Sequence, residues 1–405
     1  MIAENRRSRP HTDWLLIILV MMVAVFGILA VSVATYSTSS QSDVPLLNHI
    51  VESSFAMRQS LYVLLAPLIL SVIMSLPYEM LRRYSKALFL AANLLLLVVW
   101  VFNRAAGVKA WLDTLWGFTI QPSEFVKLAM ILILARVLSQ SERPMSTPRE
   151  FWKIMFLVGV PTFIIVGSGE MGSLLVIVFI FGFMLYFAGT PMKILWSFLA
   201  VGVLGVLALY AYMVSSGSES YRLIRILAFL DPESYSSSGA YQQTLSKITI
   251  GAGGVSGIGM FVDGAMSQLN YVPADWTDFI FSTIGETWGF VGCVILLAVY
   301  ICIILRMLYL AFYTRDRFGS LIIIGVMSML LFHVFENIGM AIGLMPITGI
   351  PLPFVSYGGS NMVTNMGGVG LVLNVTRNRS QSSSIPTPQV KTGIRRFQRL
   401  SGNRG

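Results

Sequence analysis

Charged side chains are scarce in this sequence, at 12% of the 405 residues, while 55% of the residues are hydrophobic. A soluble globular domain carries about 25% charged residues, so the composition argues against that class. The mean hydropathy of +0.74 instead indicates an integral membrane protein. Short segments of alternating hydrophobicity, which are typical of a transmembrane β-barrel, are missing, so we predict an all-α membrane protein.

Cysteine and histidine are also rare. The two cysteines, Cys293 and Cys302, fall in one predicted span, and they predict neither a disulfide nor a metal site. The three histidines are too scattered to predict a zinc site. The glycine-rich segment Ile248–Met260 lacks the lysine and the spacing of a phosphate-binding P-loop. This segment fits either a tight turn between short helices or a backbone loop that faces a ligand.

Long apolar runs are what the sequence has in abundance. A helix needs roughly 20 apolar residues to cross the hydrocarbon core of a bilayer, and some shorter runs must recruit interfacial residues. We predict ten transmembrane helices within residues 1–376, at about Trp14–Val33, Tyr62–Leu76, Ala87–Phe102, Phe125–Leu138, Phe151–Gly167, Met171–Ala188, Ile194–Met213, Phe279–Phe312, Leu321–Leu344 and Tyr357–Val375.

The basic residues predict how these spans are oriented. With the N-terminal arginines in the cytoplasm, most of the 28 Lys and Arg residues fall in cytoplasmic segments, as the positive-inside rule requires. Ten spans return the C-terminus to the cytoplasm, where residues 377–405 form a basic tail that we predict to be disordered and near anionic lipid. The net charge of +9 therefore reflects membrane topology and not nucleic-acid binding.

One long external loop is predicted, between spans seven and eight at about residues 214–277. Loops of this length are functional or disordered in most compact proteins. Aromatic residues, glycines and apolar patches alternate in this loop, so we predict that it is partly ordered.

Several ionisable residues lie inside predicted spans or at their ends. Such residues are costly in lipid and normally face the interior of a bundle or a cavity. Glu124 and Lys127 are three residues apart on one helix face, a spacing that also fits a simple ion pair. Together with Glu170, Glu286 and Glu336, they predict a polar cleft in the external half of the bundle.

The segment "GIPLPFVSYGGSNMVTNMGG", Gly349–Gly368, has two prolines and a Gly-Gly pair before its polar run. Non-helical backbone at membrane depth survives only where protein or water covers it. The composition fits a re-entrant element beside a cavity and a plain external turn equally well.

Asp278 lies in "WTDFIF", directly before the eighth predicted span. Thr277 or Asp278 could cap that helix, because an acid there suits the helix dipole. Alternatively, Asp278 could be a general base at the outer membrane face, positioned near an acceptor hydroxyl. The residues themselves leave both interpretations open.

Four motifs carry a resemblance that extends over nearly the whole chain. They are "QPSEFVKLAMILILA", "RILAFLDPESYSSSGAYQQTLSKITIGAGGVSGIG", "VPADWTDFIFSTIGETWGFVG" and "NIGMAIGLMPITGIPLPFVSYGGS". In this order, they resemble the RodA/FtsW/SpoVE (SEDS) family of bacterial shape, elongation, division and sporulation proteins. The run "QLNYVPADWTDFIF" is more similar to the RodA elongation branch than to the FtsW division branch.

The resemblance implies an enzyme of the bacterial cytoplasmic membrane. Members of this family are peptidoglycan glycosyltransferases that polymerise lipid II on the outer face, with undecaprenyl diphosphate as the product. They work with a transpeptidase, a class B penicillin-binding protein. Their essential acid matches Asp278, and the residues that we expect to contact the substrate are Glu124, Lys127, Trp111, Arg225, Glu286, Ser356, Gly358, Gly359 and Ser360.

The implied reaction is inverting. A 4-hydroxyl of the acceptor sugar attacks the anomeric carbon of lipid II, and Asp278 takes the proton. Lys127, Arg225 or a divalent cation, Mg²⁺ or Mn²⁺, is expected to stabilise the leaving diphosphate. No organic cofactor is implied.

The sequence departs from the family pattern beside the essential acid. The family usually has Pro-Glu-x-His before Thr-Asp, whereas this chain has Pro-Ala-Asp-Trp at residues 273–276. Asp275 could stand in for the missing glutamate from one position along. Glu170 replaces a family aspartate, and the Asn-Gly-Ala-Arg-x-Trp region keeps Trp111, with Lys109 two residues earlier.

Two other classes fit parts of the sequence. A lipid II flippase or another transporter would also have broken helices and intramembrane charges. Two observations argue against a transporter. The two halves of the chain show no internal repeat, and the acids cluster on one predicted side of the membrane. A non-catalytic scaffold of the wall-synthesis complex would tolerate the loss of Asp278.

Overall fold

The computed structural model describes residues 12–36, 50–51, 53–103, 111–113, 119–215, 229, 241–269 and 271–378. This part of the chain folds into eleven α-helices and one two-stranded ladder. The elements are α1 Trp14–Ala34, α2 Ser54–Ser75, α3 Tyr78–Asn103, β1 Leu112–Asp113, β2 Thr119–Ile120, α4 Pro122–Leu138, α5 Pro148–Ser168, α6 Met171–Phe187, α7 Met192–Ser215, α8 Tyr241–Ala252, α9 Ile280–Tyr313, α10 Arg317–Ala341 and α11 Gly359–Arg377.

The helices account for the apolar segments of the sequence. Each of the ten predicted spans overlaps one helix, and α8 is an additional short helix inside the predicted external loop. Within the described part of the chain, six helices have the length and apolar character to cross a membrane, namely α1, α2, α3, α5, α9 and α10. The chain is therefore a largely helical membrane protein, while the ten-span count stays a prediction. The predicted tail lies outside the described residues from residue 379 onward.

Polar side chains mark where several helices begin. Asp13 caps α1 by accepting from Leu16 N at 3.0 Å, and Ser53 caps α2 by accepting from Ala56 N at 3.2 Å. Asp316 does the same for α10. Because each cap satisfies an amide that has no partner within its helix, these residues fix the helix starts. α2 consequently begins eight residues before the predicted span.

Helix α10 is the centre of the bundle, with most of its side chains buried. It packs against α4, α6, α9 and α11. At Gly325, a Cβ would lie 2.6 Å from a methyl group of Ile131 on α4, so this crossing depends on glycine. The tight crossing places the polar residues of α10 next to those of α4.

One end of the bundle is held by arginine contacts. Arg306 on α9 pairs with Asp13 at 2.7 Å, and Arg82 on α3 pairs with Asp316 at 3.1 Å. Arg136 on α4 donates to the carbonyl of Arg82 at 2.8 Å. These basic residues lie at the end that the positive-inside rule predicts to be cytoplasmic.

The opposite end is closed by a non-helical segment, residues 343–358, between α10 and α11, and residues 352–356 of this segment are buried. Of the two interpretations of this region, burial under protein favours the element packed within the bundle over a plain external turn. Tyr300 of α9 donates to the carbonyl of Pro353 at 2.5 Å, and Gln59 of α2 donates to the carbonyl of Ser356 at 3.3 Å. Phe354 has a positive φ of 66°.

Helix α1 contacts this segment through Gly27. A Cβ at residue 27 would lie 2.6 Å from the Phe354 oxygen and 2.8 Å from the Val355 Cα. We therefore expect Gly27→Ala to lower the free energy of unfolding by about 1–3 kcal/mol, because the backbone at 354–355 must move.

The measurement is the thermal unfolding midpoint in detergent. Gly182→Ala on α6 is the matched control, because nothing lies within 4 Å of the added methyl group, and alanine favours a helix. Equal midpoints for the two variants would contradict this account of the α1 contact.

Candidate active site

Asp278 lies in a turn at the N-terminal end of α9. Phe279 occupies the N-cap position of α9, so Thr277 and Asp278 come just before the helix. The carbonyl of Ala274 accepts from Thr277 N at 3.1 Å, Thr277 Oγ1 at 3.1 Å and Phe279 N at 3.3 Å. Ala274 itself has a positive φ of 60°. This turn, residues 274–279, leaves the Asp278 side chain partly exposed.

Three consecutive carbonyl groups hold the Asp278 turn against the rest of the bundle. The carbonyl of Trp276 accepts from Tyr357 N at 3.0 Å, and that of Thr277 accepts from Ser356 Oγ at 2.6 Å. The carbonyl of Asp278 accepts from Asn337 Nδ2 at 2.7 Å. Each carbonyl from residue 276 to residue 278 therefore accepts a hydrogen bond from α10 or from the 343–358 segment.

The same donors also hold the segment that faces the turn. Asn337 Nδ2 donates to the carbonyl of Ile350 at 2.8 Å, as well as to that of Asp278. Ser356 Oγ accepts from Leu352 N at 2.8 Å while it donates to Thr277. These two side chains are buried, and each connects the Asp278 turn to the 343–358 segment.

Gly349 lies directly against the Asp278 carboxylate. A Cβ at this position would lie 3.2 Å from Asp278 Oδ2, and Gly349 has a φ of +72°. The left-handed backbone conformation favours glycine. An added methyl group at residue 349 would lie in tight contact with the Asp278 carboxylate, which would have to shift by a few tenths of an ångström.

An aromatic cluster lies beside the turn, at the start of α2. Phe55 contacts Trp276 and Tyr357 with ring centroids 5.4 Å and 5.1 Å apart. Tyr62 lies 6.2 Å from Tyr357. A Cβ at Gly359 would lie 3.0 Å from the Tyr62 ring, so this glycine allows α11 to approach α2.

Ser360 connects α11 to the strand ladder. Its Oγ donates to the carbonyl of Thr119 at 3.0 Å and accepts from Gln121 N at 3.1 Å. In the antiparallel ladder, Leu112 pairs with Ile120 and Asp113 with Thr119. Trp111, which precedes β1, is 41% exposed, so the ladder places it at the same end of the bundle as Ser360.

Lys127 and Glu124 form the ion pair that their spacing allows. Lys127 Nζ lies 2.7 Å from Glu124 Oε1 and 3.0 Å from His333 Nε2 on α10. All three side chains are buried. A substrate contact by Lys127 or Glu124 stays a prediction, because this pairing occupies the ammonium group.

Two further acids have hydroxyl partners. Glu170 Oε2 accepts from Ser173 Oγ at 2.9 Å, and burial raises the pKa of Glu170 above its ordinary value. Glu336 Oε1 accepts from Thr348 Oγ1 at 2.9 Å, next to Gly349. The second carboxylate oxygen of each acid is buried without a hydrogen-bond partner in the described part.

Other predicted residues lie away from the Asp278 turn or outside the described part. Glu286 accepts from the amides of Met266 and Ser267 at 2.7 Å and 2.9 Å, so its carboxylate holds the loop at residues 266–267. Gly358 is at the N-cap position of α11. Arg225 and Lys109 lie outside the described residues.

Among the described residues, no group of three or more His, Cys, Asp or Glu side chains is placed to hold a metal ion. The divalent cation suggested by the resemblance stays a prediction.

Asn337 and Gly349 were missed in the sequence analysis. An asparagine inside an apolar span is itself a signal, because a buried amide needs hydrogen-bond partners. Gly349 carries no comparable signal, since its role depends on a carboxylate 71 residues earlier in the chain.

The site as a whole presents a partly exposed carboxylate on a backbone held by hydrogen bonds, which suits a general base.

Asp275 is a second carboxyl group in the Asp278 turn, but it is buried. Its exposed fraction is 0%, and neither carboxylate oxygen has a hydrogen-bond partner among the described residues. Burial raises the pKa of Asp275 to about 8, and the neighbouring Glu286 carboxylate adds to this, against the dipoles of two nearby amides. Asp275 is therefore protonated at neutral pH, unlike a general base.

Comparison with known proteins gives a consistent result. The family model FTSW_RODA_SPOVE, described as "Cell cycle protein", matches residues 13–381. The chain is 31% identical over 377 residues to "Peptidoglycan glycosyltransferase MrdB" of Escherichia coli (strain K12), covering 93% of this chain and 96% of that protein.

Solved structures show the same fold. A chain from "Structural coordination of polymerization and crosslinking by a peptidoglycan synthase complex" is similar with a TM-score of 0.73 and 29% identity, covering 91% of this chain and 98% of that one. The crystal structure of the rod shape determining protein RodA of Thermus thermophilus is similar with a TM-score of 0.65 and 26% identity, covering 93% and 99%.

The raised pKa of Asp275 predicts how stability depends on pH. Between the ordinary aspartate pKa of about 3.9 and about 8, the folded state keeps a proton that the unfolded state has released. The stability that this retained proton contributes is complete below a pH of about 3.9. It is lost as the pH rises through about 8.

We therefore expect the unfolding midpoint of the wild type to fall more steeply from pH 5 to pH 8 than that of Asp275→Asn. Thermal unfolding in detergent across this range measures the difference. Asp263→Asn, at an exposed residue of the same loop, should keep the wild-type slope. Equal slopes for wild type and Asp275→Asn would show that Asp275 is ionised in the folded protein.

Proposed function

Since the chain belongs to the FtsW/RodA/SpoVE family, we propose that Asp278 is the general base with which this peptidoglycan glycosyltransferase polymerises lipid II. One observation carries the proposal. Asp278 is the partly exposed carboxylate whose own backbone and both preceding residues are held by hydrogen bonds from α10 and the 343–358 segment. Preorganisation of this kind is what a catalytic group requires.

The proposed reaction transfers one glycan unit. The 4-hydroxyl oxygen of the acceptor sugar forms a bond to the anomeric carbon of the donor, and its proton passes to the Asp278 carboxylate. The bond between the anomeric carbon and the diphosphate oxygen breaks, so undecaprenyl diphosphate leaves with the electron pair. A single displacement inverts the anomeric carbon and needs no covalent intermediate on the protein.

The remaining predicted residues are proposed to bind the substrate around this centre. Trp111, Ser356, Gly358, Gly359 and Ser360 lie at or next to the ladder and the start of α11. Lys127 and Arg225 are proposed to neutralise the diphosphate. Because Lys127 already pairs with Glu124, its contact with a diphosphate would require that pair to open or to be shared.

We also propose the orientation and the partner. The ten helices that match the predicted spans would cross the membrane with the arginine-rich end in the cytoplasm, which places Asp278 outside. The similarity to a chain of a complex that coordinates polymerization and crosslinking supports a transpeptidase partner of the class B penicillin-binding type.

The test uses purified protein with lipid II in detergent, a class B partner and Mg²⁺ or Mn²⁺. We expect glycan strands from the wild type and a loss of about 10²–10⁴-fold in rate for Asp278→Asn, because the base is removed. Strands are separated on a gel and quantified.

Asp263→Asn is the matched control, because Asp263 is an exposed aspartate of the loop that precedes Asp278. It should polymerise at the wild-type rate. Wild-type activity in a folded Asp278→Asn protein would rule out this base. No polymer from any variant would favour the flippase or scaffold alternatives.

A further inference from the structure

Helix α9 is broken near its outer end. Gly289 has a φ of 62° and a ψ of −164°, so α9 consists of an outer part, residues 280–288, and an inner part, residues 290–313. A break leaves carbonyl and amide groups without partners inside the helix. In a membrane protein, such groups must be satisfied by other parts of the chain.

The glycine-rich segment Gly253–Gly259 supplies these partners. The amides of Ile258 and Gly259 donate to the carbonyls of Glu286 and Thr287 at 2.9 Å and 3.1 Å. In the other direction, the amides of Phe290 and Val291 donate to the carbonyls of Gly254 and Val255 at 3.0 Å and 3.1 Å. Four hydrogen bonds therefore connect the segment to both sides of the break.

The contact is too close for side chains on either surface. A Cβ at Gly253 would lie 1.9 Å from the Gly285 oxygen, and one at Gly257 would lie 2.2 Å from the Thr287 oxygen. A Cβ at Gly289 would lie 2.3 Å from Gly257 N. The glycines that resembled a turn or a ligand loop in the sequence thus serve a backbone-to-backbone contact.

Glu286 makes a second attachment between the same two elements. Its two carboxylate oxygens accept from Met266 N and Ser267 N, and its side chain is buried. Hydrogen bonds from amides to a buried carboxylate are stronger than those between neutral groups. The external loop is consequently fixed to the outer part of α9 at both residues 257–259 and residues 266–267.

We infer that Gly257 and Glu286 are positioning residues for Asp278, because they fix the angle at which the outer part of α9 leaves the break. The outer part is continuous with the Asp278 turn through the bond from Ser282 N to Phe279 O. This inference rests on the proposed role of Asp278. For Glu286, this positioning role, through its bonds to Met266 N and Ser267 N, takes the place of the substrate contact expected from the resemblance.

The geometry makes Asp278 sensitive to this angle. Asp278 precedes the break by about three helical turns, or roughly 15 Å. A rotation of about 5° at Gly289 would therefore move the carboxylate by about 1 Å, and a misplacement of about 1 Å can lower a rate by about 100-fold. Binding of the lipid-linked substrate elsewhere in the site would change much less.

The experiment measures kcat and KM for lipid II in the assay described above. We expect Gly257→Ala to lower kcat by about 100-fold with little change in KM, because the methyl group separates the loop from the break. Glu286→Gln keeps the size of the side chain and one acceptor oxygen, so its kcat should fall by about tenfold. Unfolding midpoints are measured on the same samples.

Gly251→Ala is the matched control, since it lies in the same glycine-rich stretch, on α8, with nothing within 4 Å of the added methyl group. It should keep the wild-type kcat. A wild-type kcat in Glu286→Gln would overturn the inference. If Gly257→Ala fails to fold, the kcat of Glu286→Gln is the result that tests the inference. A fall in unfolding midpoint without a fall in kcat would also overturn it. Polymer from the wild type and none from Asp278→Asn would leave the proposed function standing in either case.

Discussion

The three hydrogen bonds to the carbonyls of residues 276–278 are the interaction on which the site depends. Their donors are Tyr357 N, Ser356 Oγ and Asn337 Nδ2, which come from the 343–358 segment and from α10. Non-helical backbone inside a bundle is tolerated only when other groups satisfy it. Here the same two side chains satisfy backbone groups on both sides, because Asn337 and Ser356 also form hydrogen bonds with the segment that faces the turn. The Asp278 turn and the segment around Gly349 therefore stabilise each other.

The same constraint explains other polar residues at the Asp278 end of the bundle. Side chains of α8 form hydrogen bonds with carbonyls in the last turn of α10. Gln243 donates to the carbonyl of Met340 at 3.0 Å, and Ser246 donates to that of Ala341 at 2.9 Å. Glu286 and the glycine-rich segment satisfy the break in α9. Each of these polar groups thus has a backbone partner before any substrate is considered. The Asp278 side chain, at the same end of the bundle, is partly exposed.

The helices were predictable from the sequence, and the contacts between distant residues were not. Apolar runs located ten of the described helices, but α2 begins at Ser54 and α3 at Tyr78, because caps and amphipathic turns extend helices beyond their apolar parts. Asp278 was found through its motif. Asn337 and Gly349 were missed, since their roles depend on how α10 and the following segment pack against a turn far away in the chain. Periodicity and composition describe one element at a time and contain no information about such packing.

The departures from the family pattern at residues 274–276 change side chains that do not take part in the hydrogen bonds of the turn. Ala274 contributes its carbonyl and its left-handed φ to the turn, and Trp276 contributes its carbonyl to Tyr357 N. Neither interaction uses a side-chain atom, so a change of side chain leaves them intact. The Trp276 ring packs on Phe55 instead, and the Asp275 carboxyl is buried away from the solvent. The geometry of Asp278 is therefore maintained by main-chain bonds that tolerate these substitutions.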